Sequence, residues 1–212
     1  RFGAKAITDT VKGIYLPYWT FDAKADARWT AESGQYYTVR ENNKQVRKTR
    51  WTPAAGELSH FFNDDLVCAS VGVNPARLRS IQPFPTDMLV PFDPGYLSGW
   101  TVERYQIDLV AAAEKSRAQM NSALRQLCGQ QVPGDTYRNL VVDATFSGQT
   151  FKHILTPIWM MTYVYGATSY QVVVNGVTGA TSGSRPWSWI KVTLLVLAIA
   201  VVALFLMYAA NS

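Results

Sequence analysis

The chain is poor in the residues that most catalytic and metal chemistry requires. Its 212 residues hold two cysteines and two histidines. Cys68 and Cys128 stand far apart and neither belongs to a C-x-x-C pair, so no zinc site is expected from this segment. Both are expected as reduced, buried structural thiols. No glycine is followed by lysine, which excludes the G-x-x-x-x-G-K-[ST] phosphate loop, and no G-x-S-x-G elbow occurs. The opening "RFGAKAITDTVKG" lacks the apolar core of a signal peptide. The chain begins at Arg1, not methionine, and is read as the ordered part of a longer protein. Charged residues make up only 17% against 48% hydrophobic, which excludes a disordered chain.

His60 and His153 each sit in a strand candidate among aromatic and apolar neighbours. Asp64, Asp65 and Cys68 lie near His60 in sequence but at no recognisable ligand spacing. The expectation is therefore a protein that is not an enzyme, with no catalytic, cofactor-binding or metal-binding residue in this chain. A hydrolase would require an activity lost on replacing His60, His153 or Cys68.

Aromatic residues are plentiful. Seven tryptophans and eleven tyrosines suit a β-rich core or a membrane boundary. At the far end, "IKVTLLVLAIAVVALFLMYAA" runs from Ile190 to Ala210 with no charge after Lys191. That length predicts a transmembrane helix, since about 20 apolar residues cross a ~30 Å hydrocarbon core. Trp187, Trp189 and Lys191 would mark the membrane interface, and Ala198, Ala200 and Ala203 would admit a partner helix. Arg185 and Lys191 flank the run on its N-terminal side. They predict residues 1–185 as a cytoplasmic domain and 186–212 as a C-terminal anchor in a bacterial inner membrane.

The domain itself reads as α+β: antiparallel sheet with one long covering helix. Two strand groups, about 13–70 and 137–181, surround a proline-rich loop and a helix over 102–128. "QYYTVRENNKQVRKTRW" predicts a hairpin turning at Asn42-Asn43. A short helix is expected from Pro75 to Ser80. Leu109, Ala113, Met120, Leu124 and Leu127 mark one face of the long helix, with Thr101 as cap, Glu103 in the first turn and Gly129 at the stop. Asn175-Gly176 between β-branched runs predicts a second hairpin. One phrase occurs twice: "IYLPYWTF" at Ile14 to Phe21 and "ILTPIWMM" at Ile154 to Met161. The copies are read as matching strands of two related sheet halves, with Trp19 and Trp159 buried in the core.

One charged cluster stands out. The first 52 residues carry ten basic and five acidic side chains, a surplus equal to the net +5 of the whole chain. Arg40, Lys44, Arg47, Lys48 and Arg50 crowd the first hairpin, on both of its faces. A solvated tip, an anionic lipid surface, and a protein or nucleic-acid partner all fit such a cluster.

The phrases "YLPYWTFDA", "QVRKTRW", "DDLVCAS", "ERYQID", "TFKHILTPIW", "VVVNGVTG" and "RPWSWIK" together resemble a family of bacterial membrane proteins with an N-terminal TFIIB-type zinc ribbon. These proteins are also loosely labelled as primosomal protein N′-like or superfamily II helicase-like. The resemblance spans most of residues 13–192. It implies a zinc ribbon upstream of Arg1, so zinc would belong to a segment outside this chain. It transfers no catalytic residue. Together these readings predict a single-pass, non-enzymatic accessory or scaffolding subunit that docks on a larger inner-membrane complex, respiratory or photosynthetic. The alternative is a membrane-tethered binding module that uses the basic hairpin for anionic lipid or nucleic acid. Partners are expected to be the membrane and other subunits of a membrane complex, and nucleic acid is not expected.

Overall fold

From Ala23 to Ala31 every second residue of the chain is alanine or tryptophan, and the residues between are Lys24, Asp26, Arg28 and Thr30. A strand sends alternate side chains to opposite faces, so this pattern requires one covered face and one face open to water. A computed structural model describes residues 11–41, 44–165, 168–184 and 189–210, except for the side chains of 165, 189–192, 195, 204–206 and 208–210. It realises the pattern directly. Ala23, Ala25, Ala27, Trp29 and Ala31 are buried, while Lys24, Asp26, Arg28 and Thr30 are exposed.

This segment belongs to β1 (Val11–Glu41), the spine of the sheet. It pairs antiparallel with β2 (Lys44–Cys68) on one side and with β4 (Thr136–Tyr165) on the other. The short β3 (Thr101–Val102) runs parallel beside Ile14 and Tyr15. Beyond β4 the sheet continues through β5 (Thr168–Asn175) and β6 (Thr181–Gly183). Thirty-one residues in one strand is a contour of roughly 100 Å at ~3.3 Å per residue.

The covered face changes along that length. Near the start of β1, the even positions Leu16 and Tyr18 pack with Ile154, Ile158 and Val173 under α1 (Pro75–Ser80), whose Leu78 is buried there together with Ile81 and Phe84. Further on, the odd positions carry the core and α2 (Leu109–Gln131) lies over them, with Met120, Leu124 and Cys128 buried. Full burial of such side chains contributes about 1.5–3 kcal/mol each. Alanine at 25, 27 and 31 leaves room for the helix backbone.

The changeover falls at two bulges on either side of β1. The register with β2 shifts between Phe21 and Ala23, and that with β4 between Asp22 and Lys24. The extra residue lies in β2 and in β4, so β1 keeps its two-residue alternation, and Phe21 on the odd face is already buried with Ala112 and Met120. Asp22 ties both bulges together. Its carboxylate accepts from the Asp64 backbone N–H at 2.8 Å and from Thr150 Oγ1 at 2.9 Å. Asp64 itself holds φ at +52°, the left-handed region that an aspartate tolerates.

The α+β reading with a transmembrane helix needs correction. Antiparallel strand dominates the described residues, with three α-helices among them, and none of those helices is long and apolar enough to cross a membrane. The third helix, α3 (Trp189–Ala210), covers the run from which an anchor was expected. The single-pass anchor, the inner-membrane location and the cytoplasmic placement of residues 1–185 rested on that run and fall with it. Ala198, Ala200 and Ala203 are exposed on α3. The side chains of Trp189 and Lys191, and all of Trp187, lie outside the described residues.

Two further expectations change. The long helix starts at Leu109, not near 102, because Asp108 caps it by accepting from Ala111 N–H at 2.9 Å. Thr101 lies in β3, and Glu103 just beyond it is drawn onto β1, its N–H donating to Tyr15 O at 3.0 Å. Gly129 is inside the helix, whose cap is Val132. The repeated phrases do not open two sheet halves. They pair with each other in one sheet, Ile14 opposite Ile158 and Ile154 opposite Tyr18. Trp159 is 40% exposed and Trp19 half-buried, so neither is a core residue.

Gly56 lies opposite Trp29, and a Cβ there would come within 2.5 Å of the indole. Exchanging a strand glycine for alanine ordinarily gains about 0.5–1 kcal/mol. Here Gly56→Ala is expected to lose about 1–3 kcal/mol through overpacking, read as a lower midpoint in chemical denaturation.

Candidate functional site

The proline-rich segment after α1 is built to stand away from the sheet. Asn74 caps α1 by accepting from Ala76 N–H at 2.9 Å, and Pro75 occupies the first helical position, where no N–H is needed. Ile81 and Phe84 then anchor the chain in the core, with Phe84 against the Tyr18 ring at 5.4 Å. Asn175, 1% exposed, completes the attachment. Its Nδ2 donates to Ile81 O at 2.9 Å and Pro83 O at 3.1 Å, while its Oδ1 accepts from Val177 and Thr178 N–H. The Asn175-Gly176 hairpin foreseen from sequence is present, and its asparagine also clamps the loop, which sequence offered no means to see.

Past Phe84 the chain has few core residues and arches over β4. It encloses a groove of about 1260 Å³ between residues 84–97, residues 102–105 and the stretch of β4 from Lys152 to Pro157. The rim is apolar and uncovered: Met88, Val90 and Phe92 are 66, 64 and 69% exposed. Tyr96 and Tyr105 add exposed aromatic surface. Asp93 shapes the far end by accepting from Gly95 N–H at 2.7 Å at the start of a 3-10 turn, Pro94–Leu97.

Polar groups meet at one end of this groove. Lys152 Nζ donates to Asp64 Oδ1 at 2.9 Å. Burial pushes the Asp64 carboxyl upward, but hydrogen bonds from Lys152 and Thr86 and the lysine charge outweigh it and hold it below the usual range. The same hydrogen bond raises Lys152. Beside them His153 packs against Trp19 at 4.6 Å, the rings tilted by 39°, and meets the Tyr105 ring edge-on at 5.6 Å. Burial pushes His153 below its ordinary value and favours the neutral ring. Trp19 Nε1 donates to Ile107 O at 3.0 Å, which fixes this aromatic cluster to the strip ahead of α2.

The residues near His60 do not converge. Asp64 turns to Lys152, whereas Asp65 accepts from Ser116 Oγ at 2.5 Å and from Gln119 Nε2, docking α2 onto β2. Cys68 Sγ donates to Ser70 O at 3.6 Å, and burial raises its thiol. His60 packs edge-on to Phe62 at 4.6 Å. Cys128 is buried as expected, while Cys68 is only partly so. Among the described residues no group of three or more His, Cys, Asp and Glu is placed to hold a metal ion.

The basic hairpin forms, with Glu41 opposite Lys44; Asn42 and Asn43 lie outside the described residues. β4 pairs with β1 only as far as Gly34, so the ribbon over 35–51 projects beyond the three-stranded sheet. On one face Arg47 covers the Tyr36 ring at 4.4 Å, and on the other Arg50 covers Tyr37 at 5.5 Å. Arg40 shares the Arg47 face and Lys44 shares that of Lys48 and Arg50. Lys48 pairs with Glu41.

In comparisons with known proteins, the chain is 24% identical over 198 residues to "Uncharacterized protein YdjG" of Bacillus subtilis (strain 168). That match covers 86% of this chain and 54% of the relative, so the chain spans about half the length of the curated protein it matches. No family model matches, and no solved structure matches.

Two outcomes follow from this geometry. Asn175→Ala removes four hydrogen bonds at a buried site and leaves two loop carbonyls unpaired. It is expected to cost about 2–4 kcal/mol and to increase proteolysis between residues 84 and 97, measured by thermal denaturation and limited digestion. Asp64 titrates below its unfolded value, so its contribution is present above about pH 4 and is lost as pH falls through its folded value. Asp64→Asn should flatten that acid limb of the stability curve, measured by urea unfolding across pH.

Proposed function

We propose that this protein is a non-enzymatic scaffolding module that docks on a larger protein assembly through the apolar groove beneath its proline-rich loop. The observation that carries this reading is the uncovered rim of Met88, Val90, Phe92, Tyr96 and Tyr105 over a cavity of about 1260 Å³. A contiguous apolar patch with aromatic and methionine side chains around a concavity, and a few charged groups in its lining, has the composition of a partner site. The charge here is Asp93, Glu103, Arg104 and Lys152.

Catalysis is not favoured by what surrounds the one histidine in the groove. His153 is flanked by Trp19 and Tyr105, which shape apolar surface and offer no general base or nucleophile to activate. The paired Lys152 and Asp64 neutralise each other and suit the rim of an interface. In this reading the chain carries no cofactor of its own. A zinc ribbon, as the family resemblance implies, would act as a neighbouring module in the same assembly.

Val90→Glu and Phe92→Glu each place a charge on the exposed rim without touching the core. Both variants should fold with unchanged circular dichroism yet lose partners that co-purify with the wild-type protein under mild conditions. A wild-type protein that always purifies as a lone monomer, or variants that retain every partner, would refute the scaffold reading.

A further inference from the structure

The ribbon at the other end of β1 has no part in the groove. Residues 35–51 carry five cations, Arg40, Lys44, Arg47, Lys48 and Arg50, against one acid, Glu41. That surplus of four compares with a net +5 for the whole chain. The charge sits beyond the paired stretch of β4, on a two-stranded ribbon that extends past Gly34, and Asp135 and Arg138 reach only its base, at the Tyr36 N–H and the Trp51 ring. A ribbon that only needed solubility would not also expose Tyr36, Tyr37 and Val46.

Two features narrow the ligand. Each stacked arginine rests on the tyrosine diagonal to it on its own face, Arg47 on Tyr36 and Arg50 on Tyr37. Stacking occupies the face of a guanidinium while its N–H donors lie in its plane, directed at whatever surrounds the ribbon. Second, the two faces are both cationic, and the opposed pair Val39 and Val46 lies toward the tip. A ribbon lying in a nucleic-acid groove turns one face to the base edges, so cations on both faces would not all meet phosphate. A ribbon that enters a headgroup layer end-on has phosphates on both faces, with Arg40 and Lys44 at the tip, Val39 and Val46 just behind them and the stacked tyrosines further back.

We propose that residues 35–51 form a headgroup-binding site that inserts tip-first among the phosphates of an anionic phospholipid surface. This is adhesion by a projecting ribbon. It needs no spanning helix and stands independently of the groove.

The test is co-sedimentation of the full chain with vesicles of phosphatidylcholine alone and of phosphatidylcholine mixed equally with phosphatidylglycerol. Binding is expected only to the anionic vesicles and should weaken as salt shortens the Debye length. Arg47→Gln on one face and Lys48→Gln with Arg50→Gln on the other should each weaken binding, by roughly fivefold per charge removed. Arg47→Lys should restore most of the loss and shows that the ribbon is intact. Equal binding to neutral vesicles, an effect confined to one face, or glutamine variants that bind like wild type would overturn the proposal. So would tighter binding to duplex or single-stranded DNA than to the anionic vesicles, measured by fluorescence anisotropy at matched salt.

Discussion

Everything in this fold depends on β1 being hydrogen-bonded along both edges. A single strand paired on both sides converts 31 residues of sequence into one continuous ruler, against which β2 and β4 take their register. Because side chains alternate with a period of two, the register decides which residues reach the core, and a one-residue slip would invert every choice. The alternation from Ala23 to Ala31 pins that register for α2. Nearer the start of the strand the opposite, even face is covered by α1 and the segment after it.

The molecule has two unlike ends. At one end, α1 and the proline-rich loop cover the even face and leave a groove. At the other, the sheet narrows to two strands and loses its helix, so a charged ribbon projects. The polar clasp at the bend, Asp22 with Asp64 and Thr150, and Asp64 in turn with Lys152, lies between them. The outer edge of β4 is interrupted where Asn139 and Gly148 take positive φ. Such irregularities discourage unwanted edge pairing in a sheet with long strands.

Much of the local structure was legible beforehand because it rests on short-range chemistry. The hairpin around Asn42-Asn43, the turn after Asn175, the helix at Pro75 and the stripe through Met120 and Leu124 all follow from turn residues, caps and periodicity. The helix start was misplaced because Thr101 and Asp108 are both good caps, and only the pairing of Glu103 N–H with Tyr15 O removes the first from contention. The anchor expectation failed for a related reason. An uncharged run is a property of composition, whereas a span requires a helix both long and apolar enough to cross, and among the described residues no helix is.

The sequence by itself determined the long strand segments, the covered face from Ala23 to Ala31 and where the cationic charge concentrates, since these depend on residue type and spacing within a few positions. Only the tertiary structure decided that the two Ile-x-x-Pro-x-Trp phrases pair with each other, that Asn175 clamps a loop some 90 positions away, and that the exposed side chains of that loop wall a groove. Those outcomes depend on the meeting of segments distant in the chain. No local pattern encodes such a meeting, because it is the register of β1 with β4 that brings them together.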